Sequence, residues 1–271
     1  MKTKTKVLLI TLIAFVLLFA AAVAGLNAVF TVTRVDTEFV VCSETGREEA
    51  EELKEKLDRF VGRSTTFFKQ SSVEKVVEEY PCFRVESFRK KFPETLKIVL
   101  VERKELFAFR YGDAYAVLDE EGVYLHGGEN VNRTGGENIL LNNFDFTVSA
   151  DGTVSGKLFE ETIAMFSAFS EMLPGIRASV VSVRFTRNAR APATSGNEFL
   201  IVTMREGVEI AIKNPSEGIA VKARAALTDV TDGYLNLPDE RRITGAIHVG
   251  DLINGTAAVV YDSVLNVEEA K

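Results

Sequence analysis

Hydrophobic residues are unevenly distributed along the chain, and the longest apolar run comes first. Residues 7–30 (VLLITLIAFVLLFAAAVAGLNAVF) carry no charge, and residues 1–6 before them include three lysines. At about 1.5 Å rise per residue, a helix of this length is roughly 36 Å long, enough to cross a hydrocarbon core of ~30 Å. We therefore predict a transmembrane helix over residues 7–30. Because no basic residue follows until Arg34, residues 1–6 are the predicted cytoplasmic tail and the remainder is extracytoplasmic.

A cleaved signal peptide is the alternative interpretation of the same stretch. A basic start, an apolar region and Ala22-Val23-Ala24 together suit a signal peptidase. The apolar run continues past Ala24 and is longer than such a peptide needs, which favours a retained anchor. Both interpretations export the same downstream domain, and cleavage itself stays open.

Residues 31–104 show the pattern of a β-α-α-β-β unit. Thr31 to Val41 alternates apolar and polar positions as a strand does, and so do Phe83 to Phe88 and Thr95 to Val101. Two segments with helical periodicity lie between the first strand and the other two. The unit therefore has one strand, two helices and two further strands in chain order.

The two predicted helices of this unit have recognisable ends. The first runs from Gly46 to Gly62, a residue type that commonly ends helices. Ser71, with Glu74 three residues later, predicts a capping box at the start of the second, and Pro81 stops it. Apolar residues at spacings of three and four form the predicted buried stripes. They are Ala50, Leu53, Leu57, Phe60 and Val61 in the first helix, and Val73, Val76, Val77 and Tyr80 in the second.

Residues 105–262 are richer in strand patterns and predict a second, larger domain. Turn signals separate the strands, and two amphipathic helices interrupt them. The predicted strands are Phe107–Tyr111, Tyr115–Leu118, Val123–His126, Val180–Phe185, Glu198–Met204, Val208–Lys213, Ile243–Val249 and Thr256–Tyr261, and the predicted helices are Gly156–Leu173 and Glu217–Asp229. Residues 263–271 are predicted to be a flexible tail. The expected fold class is therefore α+β, in two domains after a single transmembrane helix.

Composition and charge narrow the classes of function. A content of 46% hydrophobic residues can supply substantial cores. A formal net charge of −7 and a pI near 5.2 argue against nucleic-acid binding, which needs a basic face. Cys42 and Cys82 are the only cysteines, so at most one disulfide could form. Two small buried thiols are the simpler interpretation, although pairing stays open.

The sequence contains no recognisable set of catalytic residues. Ser72-Val73-Glu74-Lys75 matches the Ser-x-x-Lys motif of penicillin-interacting serine enzymes, but their two companion motifs do not follow in order. His126 and His248 have no carboxylate or thiolate partner at the spacing of a zinc site. We therefore expect a binding protein rather than an enzyme, with no catalytic residue, cofactor or metal.

Two further polar features have simple interpretations. Glu102 and Glu105 flank the pair Arg103-Lys104, which predicts exposed ion pairs rather than acid–base chemistry. Asn132-Arg133-Thr134 and Asn254-Gly255-Thr256 match glycosylation sequons, which matter only in a host that glycosylates.

Residues 80–103, YPCFRVESFRKKFPETLKIVLVER, resemble the FtsQ/DivIB family of bacterial cell-division proteins. The shared pattern is a proline, a strand, a basic residue shortly before a second proline, Thr-Leu, an alternating strand and Glu-Arg. Residues 115–124 (YAVLDEEGVY) and 207–212 (GVEIAI), with Lys222 downstream, are similar to later parts of that family. Val35-Asp36-Thr37-Glu38 replaces the family's Val-x-Gly-Asn turn, which leaves the boundary and register of the first strand open.

The resemblance implies a POTRA domain followed by the FtsQ-type β domain. It also implies a non-enzymatic, single-pass scaffold of the divisome, in the cell membrane at the division septum. The implied partners are small coiled-coil proteins of the FtsB/DivIC and FtsL types, through which such a scaffold helps control the septal peptidoglycan synthase complex. Recruitment order, oligomeric state and the number of envelope membranes stay open.

The family's main contact is understood as strand addition at the last β-strand. An open strand edge is a template for an incoming strand, with backbone hydrogen bonds for affinity and alternating side chains for specificity. Tyr261 is the expected aromatic anchor, although Val259 and Tyr261 could instead be ordinary core residues. The predicted partner-binding residues are Thr256, Ala257, Ala258, Val259, Val260 and Tyr261.

A second candidate surface is the basic group Arg84, Arg89, Lys90 and Lys91. A partner near the membrane or anionic lipid headgroups could use it, and a solvated strand edge kept soluble by charge is the alternative. For the whole protein, the main alternative function is a membrane-anchored extracytoplasmic POTRA adaptor unrelated to division. A POTRA module feeding an outer-membrane barrel is disfavoured, because the chain is too short and too helical.

Overall fold

The computed structural model describes residues 11–19, 25, 29–187 and 197–267. Within those ranges, none of the helices combines the length and the apolar character needed to cross a bilayer. Residues 11–19 are helical, but the rest of the predicted transmembrane helix up to residue 28, apart from residue 25, lies outside the described residues. So do the predicted cytoplasmic tail and residues 268–271. The transmembrane helix therefore stays a prediction.

The chain divides into two compact units, residues 1–103 and 104–271, called here the first and second unit. The first unit contains β1 (Arg34–Val40), α1 (Glu44–Asp58), α2 (Gln70–Val77), β2 (Phe83–Lys91) and β3 (Thr95–Glu102). Its sheet has the order β1-β3-β2, with β1 parallel and β2 antiparallel to β3. This confirms the predicted β-α-α-β-β order and places Val35 opposite Leu96, which resolves the register of the first strand.

Both helices of the first unit depart from prediction at one end. α1 ends at Asp58 rather than Gly62, and Val61, predicted to be buried, is 50% exposed. α2 begins at Gln70 after Lys69, whose side chain makes no capping hydrogen bond, so the predicted Ser71–Glu74 capping box is wrong. The buried stripes are otherwise formed by predicted residues, including Ala50, Leu53, Leu57, Val73 and Val77.

The second unit is built on a nine-stranded mixed sheet with the order β14-β13-β12-β11-β10-β7-β4-β5-β6. Its elements are β4 (Glu105–Tyr111), β5 (Ala114–Asp119), β6 (Tyr124–Gly128), β7 (Ile139–Asn142), β8 (Thr147–Val148), β9 (Val154–Ser155), α3 (Phe159–Ser170), α4 (Ile176–Ser179), β10 (Val180–Arg187), β11 (Glu198–Met204), β12 (Glu209–Lys213), α5 (Ile219–Thr228), α6 (Asp239–Arg242), β13 (Ala246–Ile253) and β14 (Thr256–Asp262). A 3-10 turn covers Tyr234–Asn236, and β8 and β9 form a separate hairpin. The α+β class is confirmed.

Helices α3 and α5 pack against each other over one face of this sheet. Phe166 and Phe169 of α3 and Leu227 of α5 are buried against inward-facing strand residues such as Val202 and Ile210. Alternation along each strand turns its other side chains to the opposite face. The fold therefore has a helix layer on one side of the sheet.

The opposite face of the sheet is partly covered by the chain after β14. Val267 is buried against Ile201 and Ala211, with Leu265 beside them. Residues 263–267 belong to the segment predicted as a flexible tail, and their packing attaches them to the sheet.

The two cysteines have different surroundings. Both are thiols in the structure, with Cys42 exposed and Cys82 buried. The interpretation of two small buried cysteines therefore holds for Cys82 and is wrong for Cys42, which lies between β1 and α1.

Candidate functional site

The last strand, β14, lies at one end of the nine-stranded sheet. It pairs antiparallel with β13, with Ile247 opposite Tyr261 and His248 opposite Val260. Among residues 11–19, 25, 29–187 and 197–267, no strand pairs with its other side. A strand in this position presents unpaired backbone donors and acceptors along its whole length.

The side chains of β14 divide between the two faces of the sheet. Ala257 belongs to the core beneath the helices, and Val259 and Tyr261 pack against that core. Ala258 and Val260 point to the opposite face, where Val260 is 54% exposed. Thr256 is exposed at the start of the strand. A second strand laid beside β14 therefore has Val260 as its exposed apolar neighbour.

Tyr261, the expected anchor, already makes contacts within the unit. Its hydroxyl donates to the Thr244 carbonyl oxygen (3.2 Å), and the Arg241 guanidinium carbon lies 5.2 Å from its ring centroid. The ring therefore stabilises the end of the β13–β14 hairpin.

The direction of the backbone groups along β14 follows from its neighbours. The Glu209 N–H donates to the Gly245 carbonyl oxygen (3.1 Å), so Gly245 faces β12. Because backbone groups alternate along a strand, His248 faces β14 and bonds with Val260. The same alternation turns the N–H and C=O of Val259 away from β13. Those groups lie on the open edge.

A buried lysine secures the sheet beneath this edge. Lys222 of α5 is completely buried, and its Nζ donates to the carbonyl oxygens of Lys213 (2.8 Å) and Asn214 (2.9 Å) at the end of β12. Burial lowers the pKa of the Lys222 ammonium, and the charge of Asp251 partly opposes that effect. Asp251, in the bulge of β13, accepts from Lys213 Nζ (2.7 Å) and Asn214 Nδ2 (2.5 Å).

In the sequence, Lys222 stands out only as part of the family resemblance. The available signal was its position in an apolar stripe with Ile219, Ala223 and Ala226, at helical spacings of three and four. A lysine in such a stripe needs buried acceptors.

The four basic residues of β2 do not share one face. Register with β3 places Arg84, Arg89 and Lys91 on the face away from the helices, and Lys90 on the helix side. Lys90 Nζ donates to the Thr66 carbonyl oxygen (2.9 Å). Three of the four predicted residues therefore share a face, with Arg84 and Lys91 near opposite ends of the strand, and the fourth makes a loop contact.

Acidic residues reduce the charge of this face. Glu86 Oε2 lies 3.9 Å from Arg84 Nε, and Glu38 Oε2 lies 3.7 Å from Lys97 Nζ, all at partly exposed positions. Exposed pairs of this kind contribute little to stability. Arg89 and Lys91 are the more exposed cations of the strand.

The predicted exposure of Glu102 and Glu105 is wrong, because both are buried. Glu105 does form an ion pair, but with Arg133, whose Nε lies 3.1 Å from its Oε1. Glu105 accepts from His126 Nε2 (2.8 Å) and from the backbone N–H of Arg133 (3.0 Å). Burial alone raises the pKa of Glu105, but these hydrogen bonds outweigh it, so the pKa lies below its usual range. The contacts of Glu105 with His126 and Arg133 hold the loop after β6 in place. Within the described part of the chain, no group of three or more His, Cys, Asp or Glu residues is arranged to hold a metal ion.

The two sequons differ in accessibility, which gives a direct prediction. Asn132 is 2% exposed, and its Nδ2 donates to the carbonyl oxygen of Glu105 (2.9 Å) and to Asn138 Oδ1 (2.7 Å). Asn254 is exposed in the β13–β14 turn. Expressed in a glycosylating secretory host, the chain should carry glycan at Asn254 and none at Asn132, as measured by peptide mass spectrometry. Glycan at Asn132 in folded protein would contradict the buried network.

Comparisons with known proteins give a structural likeness but no family match. No protein-family model matches the chain, and no curated protein matches it. The chain is similar to the major extracytoplasmic domain of the trans isomer of the bacterial cell division protein DivIB from Geobacillus stearothermophilus. The identity is 15%, the TM-score is 0.25, and the match covers 48% of this chain and 97% of that one.

Proposed function

We propose that this chain is a non-enzymatic, membrane-anchored scaffold of the bacterial division septum. It binds small coiled-coil division proteins of the FtsB/DivIC and FtsL types on its extracytoplasmic side. Through them it helps control septal peptidoglycan synthesis. The observation that carries the proposal is the open edge of β14 at the end of the nine-stranded sheet.

The edge suits strand addition for three physical reasons. Its outward backbone groups, such as those of Val259, supply hydrogen bonds that need no particular partner sequence. Val260 offers apolar contact on one face. The network of Lys222 and Asp251 holds β12 and β13 in place, so the edge is preorganised and an incoming strand loses less entropy on binding.

The supporting context comes from the sequence. The apolar stretch 7–30 after a lysine-bearing tail favours a single-pass anchor with an extracytoplasmic C-terminus. The resemblance of residues 80–103 favours division over other roles for a POTRA-bearing protein.

Val259→Pro tests the edge directly. Proline removes the outward N–H and places its ring where a partner strand must approach, whereas the β13 side of the ladder keeps its hydrogen bonds. We expect co-purification of FtsB/DivIC-type and FtsL-type proteins with the full chain to fall on the order of ten-fold, from a lost hydrogen bond and the steric block. Quantitative affinity capture from co-expressing cells measures this.

Val259→Ile is the matched control, because it keeps the N–H and the β-branched shape. It should bind as the wild type does, and thermal unfolding should show that both variants are folded. Equal capture by folded Val259→Pro would exclude the edge mechanism. Failure of the wild-type chain to capture any division protein would favour the generic adaptor.

A further inference from the structure

Three backbone segments of the first unit meet where the apolar stretch 7–30 ends. They are the chain from Phe30 to Thr33, the α1–α2 loop and the β2–β3 turn. The Thr65 N–H donates to the Phe30 carbonyl oxygen (2.7 Å), which joins the chain to the loop after α1. The Thr33 N–H donates to the Glu94 carbonyl oxygen (2.9 Å) in the β2–β3 turn. The α1–α2 loop and the β2–β3 turn therefore both lie beside the point where the apolar stretch ends.

Large apolar side chains are exposed at this end. Phe67 is 76% exposed, Phe92 57% and Val61 50%. The rings of Phe30 and Phe92 pack edge to face with centroids 6.0 Å apart. Phe68, the next residue after Phe67, is buried, so the loop sends one phenylalanine inward and one outward. Clustered apolar exposure of this kind marks an interaction surface.

The two loops and the end of β2 are basic, although the chain as a whole is acidic. Residues 58–69 and 89–94 contain six Lys or Arg and two acidic residues, Asp58 and Glu94. Arg63 and Lys91 are exposed, and Lys90, near the end of β2, donates to the Thr66 carbonyl oxygen of the α1–α2 loop. Exposed aromatic rings among cations match the boundary between anionic headgroups and acyl chains.

We propose that this end of the first unit is a contact surface for an anionic phospholipid bilayer. Phe67 and Phe92 insert at the headgroup–acyl boundary, and Arg63 and Lys91 bind lipid phosphates. The inference rests on the proposed membrane anchor, which ends at the same place and so raises the effective concentration of lipid at this surface. Docking in this way restricts how the first unit is oriented on the membrane.

The chain has no tryptophan, so one introduced indole reports alone. Phe67→Trp and Phe92→Trp, each in the full chain reconstituted into vesicles, should be quenched by brominated phosphatidylglycerol. Val40→Trp is the matched control: Val40 is 51% exposed and ends β1, about 20 Å from its start at Arg34. Its fluorescence should be unaffected by the bromine.

The charges are tested in the same assay. Arg63→Gln and Lys91→Gln should each weaken docking about five-fold, seen as reduced quenching of the introduced tryptophan. Quenching of Trp at position 67 no stronger than at position 40, in vesicles that hold the chain, would overturn the surface and leave the anchor standing. If the tryptophan at position 67 is buried only after a division protein is added, the surface binds that protein and not the bilayer. A chain that fails to float with vesicles would overturn anchor and surface together, independently of the Val259→Pro result.

Discussion

Lys222→Ala is expected to lower the free energy of unfolding of the second unit by about 4 kcal/mol. Truncating a long, fully buried side chain leaves a cavity, which alone costs roughly 2–5 kcal/mol. The carbonyl oxygens of Lys213 and Asn214 also lose their donor, at roughly 1–3 kcal/mol for buried groups left unsatisfied. Urea unfolding followed by circular dichroism measures the loss.

Two variants separate the causes of that loss. Lys222→Met keeps most of the buried volume but leaves the carbonyls unpaired, so we expect about 2 kcal/mol. Arg224→Ala, two residues along α5, removes an exposed pair with Glu171 and should cost less than about 1 kcal/mol. If Lys222→Ala unfolds like Arg224→Ala, the buried network is not what holds β12 and β13.

Lys222→Met also tests whether the buried network orders the open edge of β14. Lys222 and Asp251 both contact the end of β12, and Asp251 lies in the bulge of β13, next to the β13–β14 hairpin. Faster amide hydrogen exchange across β13 and β14 in Lys222→Met would show that the network also preorganises the edge. The lysine is then a positioning residue for partner binding, with no direct contact to the partner.

Periodicity predicted the elements because each buried stripe is a local pattern. Helix ends were less predictable, as α1 shows. After Asp58 the N–H groups of Phe60 and Val61 bond three residues back, to Leu57 and Asp58, so the helix tightens into turns before Gly62. The glycine, with φ of +89°, ends the turns rather than the helix.

The faces of β2 could not be read from sequence spacing. Arg84 and Lys90 are six residues apart, and strict alternation would place them on the same face. A register shift between Val85 and Ser87 inserts one extra residue, Glu86, and so reverses the facing of everything beyond it. Bulges depend on pairing with β3, which the sequence of β2 alone does not encode.

The burial of Glu102 and Glu105 also depends on contacts between segments that are distant in sequence. Glu102 and Glu105 look solvent-exposed beside Arg103 and Lys104, because charged neighbours in sequence usually share a wet surface. Their actual partners are distant in sequence: Ser43 for Glu102 and His126 for Glu105. The open edge of β14 is likewise a property of sheet order, and only the family resemblance pointed to it beforehand.

Glu102→Gln should destabilise the first unit by about 2–3 kcal/mol at neutral pH. The carboxylate accepts from the backbone N–H groups of Cys42 (2.6 Å) and Ser43 (3.0 Å) and from the Ser43 hydroxyl, which itself caps α1 by accepting from the Gly46 N–H (2.9 Å). The glutamine amide has only one acceptor oxygen, so its NH2 group would face some of these N–H and O–H donors and could not accept from them. Hydrogen bonds to a charged acceptor are each worth roughly 1.5–3 kcal/mol.

The loss should depend on pH in a definite direction. Burial raises the pKa of Glu102, but the hydrogen bonds from Ser43 and Cys42 outweigh it, so the folded pKa lies below the ordinary value of 4.5. The carboxylate therefore stabilises the fold above that value, and its contribution disappears as the pH falls through the lowered pKa. The difference between wild type and Glu102→Gln in urea unfolding should shrink on acidification.

Glu52→Gln is the control for this experiment, because Glu52 is an exposed residue of α1 and its replacement should change stability by less than about 0.5 kcal/mol. If the stability difference between wild type and Glu102→Gln stays constant with pH, the ionised form of Glu102 is not what stabilises the fold. A side chain that acts only through its shape contributes equally whether or not it is ionised. A difference that fades as predicted shows that an ionised glutamate at the end of β3 holds the start of α1. Glu102 then links sheet and helix through its charge, although its neighbours in sequence, Arg103 and Lys104, suggested only surface pairs.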